Sequence, residues 1–118
     1  MNFEIEFYET SGGKEPAKEF ILRLNKKTRA RVLRTLDLLE ENGNELREPY
    51  SKPLGNKIFE LRIRESKDIY RILYFFYVGQ RIILTNGFVK KTQKTPRAEI
   101  EKAEKYMNDY LIRKERKL

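Results

Sequence analysis

Lysine and arginine are the side chains that this sequence places best for chemistry. Arg62, Arg64 and Arg71 fall inside strand-like apolar segments, Lys90 and Lys91 directly follow Phe88 and Val89, and Lys52, Lys57, Lys94 and Arg97 flank them. A guanidinium presents a planar fork that grips two oxygens of a phosphate at once, and an ammonium adds point charge and exchangeable protons. Such cations can hold a phosphodiester and stabilise negative charge that develops on it. The sequence contains no histidine and no cysteine. That removes the usual base near neutral pH, the Ser–His–Asp arrangement, thiolate nucleophiles and zinc ribbons. Ser11-Gly12-Gly13 lacks the glycine and lysine spacing of a phosphate-binding loop and reads as a turn. Glu60 stands alone among the basic segments, so paired-carboxylate chemistry and a metal site are not expected.

Each cation also has a plainer reading. Arg71 lies within Ile69-Tyr70-Arg71-Ile72-Leu73-Tyr74-Phe75-Phe76, where a charge must be paired or open onto a cleft. An ion pair with Glu60 across a sheet and a functional role weigh equally there. Arg62 alternates outward along its strand, as a solvated sheet face would. Arg64 reads as surface, Lys90 and Lys91 sit at a strand end, and Lys52, Lys57, Lys94 and Arg97 are consistent with ordinary exposed charge.

Charge distribution sharpens the case. The 118 residues carry a net charge of +8, but residues 1–50 hold nine basic and ten acidic side chains against seventeen and eight in residues 51–118. A basic second half points to an anionic partner met by one face, nucleic acid ahead of membrane. With 39% hydrophobic residues the chain can fill one core, and its length suits a single domain over residues 1–118. Its longest apolar run, Ile72–Val78, is too short to cross a bilayer, and acidic Glu4, Glu6 and Glu9 argue against a secretory signal. A cytoplasmic location is expected.

The elements that must position these cations follow from periodicity. Asn2–Tyr8 alternates as a half-buried strand. Pro16 opens a helix with Ala17, Phe20, Ile21 and Leu24 on one stripe, and a second helix from about Lys27 turns Val32, Leu33, Leu36 and Leu39 inward and stops at Gly43. The segment from Glu48 to Asn56 reads as a loop. Strands follow over Ile58–Arg64, Ile69–Val78 and Arg81–Val89, joined by short turns that favour antiparallel hairpins. Thr95 is expected to cap a last helix with Pro96 at its first position and Ile100, Ala103, Met107, Tyr110 and Leu111 inward. The expected class is α+β in the order β-α-α-β-β-β-α, a helical hairpin packed on a small, mainly antiparallel sheet.

Five blocks in this order resemble the HigB-like branch of the RelE/ParE toxin superfamily: Pro49-Tyr50-Ser51-Lys52, Phe59-Glu60-Leu61-Arg62-Ile63, Tyr70-Arg71-Ile72-Leu73-Tyr74, Gly87-Phe88-Val89-Lys90-Lys91-Thr92, and Thr95-Pro96 through Glu99-Ile100. The likeness spans nearly the whole chain and implies a RelE-like fold. It further implies the toxin of a toxin–antitoxin pair that cuts messenger RNA on the ribosome without a cofactor, the ribose 2′-hydroxyl attacking the adjacent phosphate. Its partners would be the ribosome, the messenger and a HigA-like helix-turn-helix antitoxin, with no membrane.

By matching of blocks, the family's catalytic cations fall at Arg62, Arg71 and Lys90 or Lys91. Lys52, Lys57, Arg64, Lys94 and Arg97 become candidate RNA contacts. Glu60 stands where some relatives have a lysine, and Tyr106 and Tyr110 cannot be matched to the tyrosine or histidine that other members use for proton transfer. Arg62 and Arg71 would clamp non-bridging oxygens. A lysine among other cations in a desolvated cleft gives up its proton more readily and can act as base, or as acid to the departing 5′-oxygen; Lys91 is the first choice and Lys90 the second. Two other functions fit the same cations: a ParE-like gyrase poison and a non-catalytic nucleic-acid binder.

Overall fold

In the computed structural model, which describes residues 2–90 and 94–116, the chain runs β1 (Glu4–Phe7), α1 (Pro16–Leu22), α2 (Lys26–Asn42), a short 3-10 turn (Gly43–Glu45), β2 (Ser51–Gly55), β3 (Ile58–Glu65), β4 (Asp68–Tyr77), β5 (Arg81–Lys90) and α3 (Arg97–Arg116). The five strands form one mixed sheet in the order β1-β5-β4-β3-β2. β1 is parallel to β5, and every other pair is antiparallel. The class is α+β, as the periodicities indicate.

The apolar-on-both-faces character of β4 has a simple cause: helices cover the sheet on two sides. Against one face, Ala17, Phe20 and Ile21 of α1 and Val32, Leu36 and Leu39 of α2 pack on Leu61, Ile63, Ile72, Tyr74, Ile82 and Leu84. Against the other, Ala103 and Tyr110 of α3 meet Ile58, Leu73, Phe75 and Ile83. Because side chains alternate along a strand, residues 60, 62 and 64 of β3 and 71 of β4 share the α3 face. α3 covers that face only in part.

Two glycines mark close approaches. Gly43 ends α2 at φ 53°, and a Cβ there would lie 2.1 Å from the Phe3 ring. Gly87 brings β5 so near α1 that a Cβ would lie 2.3 Å from the Phe20 ring. Asn25 caps α2, its side chain accepting from the Thr28 amide at 2.8 Å.

Four expectations need correction. The segment taken as a loop contains β2, an edge strand in which Pro53 pairs with Phe59. Proline is tolerated there because an edge strand leaves one row of amides unused, so loop-like composition concealed a strand. Leu33 and Leu111 face solvent at 48% and 39% exposure, because each helix buries a narrower stripe than its apolar residues suggest. Thr95 does not cap α3; Glu99 and Ile100 donate to the Pro96 carbonyl while the Thr95 hydroxyl is used elsewhere. Regular α-helix therefore starts at Arg97, after Pro96.

Candidate nucleic-acid interface

Strand register sets the candidate site. Arg62 lies directly opposite Arg71, which lies opposite Phe88. One row along, Arg64 is opposite Ile69, which is opposite Lys90. On the other side, Lys52 is opposite Glu60, which is opposite Leu73. Lys52, Arg62, Arg64, Arg71 and Lys90 thus project from neighbouring rows of one sheet face, gathered by a register that the local sequence does not reveal.

Glu60 organises this face. It is wholly buried, and its carboxylate receives Arg62 Nε at 2.5 Å and lies 3.9 Å from Arg71 Nε. The Thr95 hydroxyl donates to its other oxygen. Glu60 is thus tied to the cations around it, as a lone carboxylate among basic segments can be. Residues i and i+2 of a strand share a face, so the Glu60–Arg62 spacing held the signal, but burial of the carboxylate depends on Thr95 and the chain leading into α3.

Arg71 is also completely buried, and its Nη1 donates to the Lys94 carbonyl at 3.2 Å. Burial pushes its pKa down, and Glu60 opposes that shift by favouring the charged form. Of the two readings of Arg71, the ion pair with Glu60 is present. Through Lys94 and Thr95 the pair also fastens the start of α3 to the sheet. Asn86 adds a second fastening, donating to the Glu99 side chain at 3.0 Å.

Arg62 differs, with a side chain 14% exposed and reaching the surface. Arg64 and Lys90 are exposed, Lys90 as the last residue of β5. Lys91 lies outside the described residues. Lys52 is exposed on the edge strand, and Lys94 is exposed beside the buried pair that holds its carbonyl. Arg97 projects from the first turn of α3, where it pairs with Glu101 at 3.5 Å. Lys57 is not brought to the cluster. It occupies the β2–β3 turn, five residues from Arg62 and so roughly 17 Å away along an extended strand.

The arrangement is a cationic surface around one ordered arginine. A buried carboxylate limits where the Arg62 guanidinium can go, while Arg64 and Lys90 extend positive charge toward one end of the sheet. Preorganised cations of this kind suit a phosphate backbone. Among the described residues, no three Asp or Glu side chains converge as a metal site would require. No described helix is long and apolar enough to cross a membrane. Tyr50 is a further candidate that the chemistry-bearing residue types did not single out; it is 45% exposed beside the edge of β3.

The chain is 40% identical over 52 residues to proteins named "Probable endoribonuclease HigB1" from two strains of Mycobacterium tuberculosis, CDC 1551 / Oshkosh and ATCC 25618 / H37Rv. The matched stretch is 44% of this chain and 41% of each relative, so the chain spans about two fifths of the length of the curated relatives it matches. The likeness to HigB-like toxins read from the sequence blocks is present in these relatives. A family model for phage-derived Gp49-like proteins (DUF891) matches residues 19–108, from within α1 to within α3 and including every strand of the cationic face, and the chain belongs to that family.

Proposed function

We propose that this protein is the toxin of a toxin–antitoxin pair and cleaves messenger RNA on the ribosome at the face that carries Arg62. The observation that carries the reading is the partly exposed Arg62 guanidinium, held by a buried carboxylate within a cationic face. The name of the Mycobacterium relatives supports the reaction class.

In the proposed reaction the substrate supplies its nucleophile. The ribose 2′-oxygen forms a bond to the neighbouring phosphorus, its proton passes to a base, and the bond from phosphorus to the 5′-oxygen breaks as that oxygen takes up a proton. The products are a 2′,3′-cyclic phosphate and a 5′-hydroxyl. Arg62 donates to the non-bridging oxygens and balances the added charge. Lys90, exposed at the end of β5, or Lys91 after it carries the proton. Arg71 has a positioning role, because full burial keeps it from the phosphate while Glu60 links it to Arg62. Lys52, Arg64, Lys94 and Arg97 extend the contact along the backbone. The ribosome presents the messenger in line for attack, and such positioning lowers the barrier by several kcal/mol. No metal or cofactor takes part, and a small helix-turn-helix antitoxin restrains the toxin.

A programmed ribosome carrying a messenger with one 2′-deoxy residue tests the chemistry. Primer extension should show cutting of the all-ribose messenger at one position and none when that residue lacks its 2′-hydroxyl. Equal cutting of both messengers removes the mechanism, and no cutting of either, with supercoiling by gyrase blocked, replaces the ribonuclease with a gyrase poison.

A further inference from the structure

On the other flank of Arg62, two adjoining hollows lie along α2, one of about 330 Å³ between α2 and Tyr50 and one of about 180 Å³ that reaches the edge of β3. Arg31, Thr35 and Tyr50 line both. Arg34 and Leu38 also line the larger, and Arg62 and Arg64 the smaller. The groove exists because β2 begins only at Ser51, part-way along β3. Ser51 pairs with Leu61, the Arg62 amide donates to the Tyr50 carbonyl at 2.8 Å, and on the far side of Tyr50 the chain is off the sheet and leaves the rest of β3 exposed.

Its lining combines forked cations with one aromatic face. Arg31 is balanced by Glu65 at 2.6 Å and Arg62 by Glu60. Neither Arg34 nor Arg64 has a carboxylate within ion-pair distance among the described residues, so the groove keeps positive charge at both ends with Tyr50 between them. An aromatic ring flanked by arginines suits single-stranded nucleic acid: every base has a face that stacks, and each phosphate accepts a guanidinium fork. An acidic peptide would use the charges and leave the ring idle. Arg62 lines the groove and also meets Glu60 on the sheet face, which makes the two surfaces continuous.

We propose that this groove is a second RNA subsite, in which a base of the strand flanking the reacting phosphate stacks on Tyr50 while neighbouring phosphates meet Arg34 and Arg64. The inference rests on the reading of the Arg62 face as an RNA-cleaving site. It predicts binding without sequence readout, since stacking and phosphate contacts are sequence-tolerant.

Fluorescence anisotropy with the full chain and a labelled 2′-O-methyl oligouridylate, which cannot be cleaved, tests the subsite apart from catalysis. Tyr50→Ala should weaken binding roughly tenfold and Tyr50→Trp should keep it. Arg34→Ala should reduce the slope of log affinity against log salt by about 0.7. In the wild-type chain, a 4-thiouridine probe should cross-link to the peptide holding Tyr50, a result that does not depend on any variant folding. Unchanged affinity in Tyr50→Ala and Arg34→Ala, or cross-links confined to other peptides, overturns the subsite. Loss of polyglutamate binding with RNA affinity intact also overturns it and assigns the groove to an acidic protein. If Arg62→Ala stops messenger cutting while the groove variants bind and cut as wild type, only the subsite falls; if they lose RNA affinity although the wild type never cuts on ribosomes, the subsite stands and the nuclease falls.

Discussion

Arg62 and Arg71 are direct partners across β3 and β4, and their Nε atoms approach the same oxygen, Glu60 Oε2, at 2.5 and 3.9 Å. Two like charges side by side repel, and the shared carboxylate offsets that repulsion. The two arginines nevertheless divide the work. Arg71 is fully buried and donates to the Lys94 carbonyl, whereas Arg62 reaches the surface. One carboxylate thus stands against two guanidiniums, so the trio keeps net positive charge, and Arg62 is the member that can face an anionic partner.

Glu60→Ala should be among the most destabilising substitutions on this face. It removes the nearest carboxylate from a buried Arg71 and the acceptor from Thr95, and breaking a buried pair costs about 3–5 kcal/mol. Urea unfolding should show the loss as a lower midpoint, and joining Glu60→Ala to Arg71→Met should recover most of it. A wild-type midpoint for Glu60→Ala would show that the buried pair is not needed.

Arg62→Ala should do the reverse, keeping the thermal midpoint near wild type while cutting messenger cleavage on ribosomes by about 10²–10³. Arg62→Lys should restore only part of the rate, since an ammonium cannot reproduce the fork. Full cleavage by Arg62→Ala would place the reacting phosphate elsewhere.

Gly87→Ala should destabilise the protein by about 1–3 kcal/mol through overpacking, because the new methyl group enters the space of the Phe20 ring. Joining it to Phe20→Leu should return part of the loss, which a double-mutant cycle in urea measures. Additive effects of the two changes would mean that the ring moves aside at little cost.

High pH should weaken the fold through tyrosine. Burial raises the Tyr8 hydroxyl to about 12, helped by its hydrogen bond to Asp109, and burial likewise raises Tyr74 and Tyr110 to about 12. In the unfolded chain these groups titrate near 10. The fold thus holds their protons longer than the unfolded chain, so their contribution is complete below about pH 10 and lost as pH rises toward 12. Urea midpoints across that range should fall, and tyrosinate absorbance should show a late phase that shrinks in Tyr8→Phe. A flat midpoint between pH 10 and 12 contradicts the shifts.

What the sequence determined by itself is local. Alternation around Phe59, Leu61 and Ile63, the apolar run of β4, the Val32/Leu36/Leu39 stripe and the Gly43 stop marked out most elements, because periodicity directly records which side of a strand or helix meets a core. The clustering of cations in the second half was equally plain, and the family blocks pointed to the family that the comparison supports. Tertiary structure alone decided which cations meet. Register across β2, β3, β4 and β5 put Lys52, Arg62, Arg64 and Lys90 on one face and left Lys57 in the turn before β3. It also buried Arg71 against the Lys94 carbonyl, made a bridge of Glu60, bound Thr95 to that carboxylate, and opened the groove beside Tyr50 where β2 begins. Apart from the Glu60–Arg62 spacing, these could not be read from neighbours in the chain: Arg71 meets Lys94 and Glu60 meets Thr95 across 23 and 35 positions, and a charge in a strand has the same local pattern whether it is sealed like Arg71 or presented like Arg62.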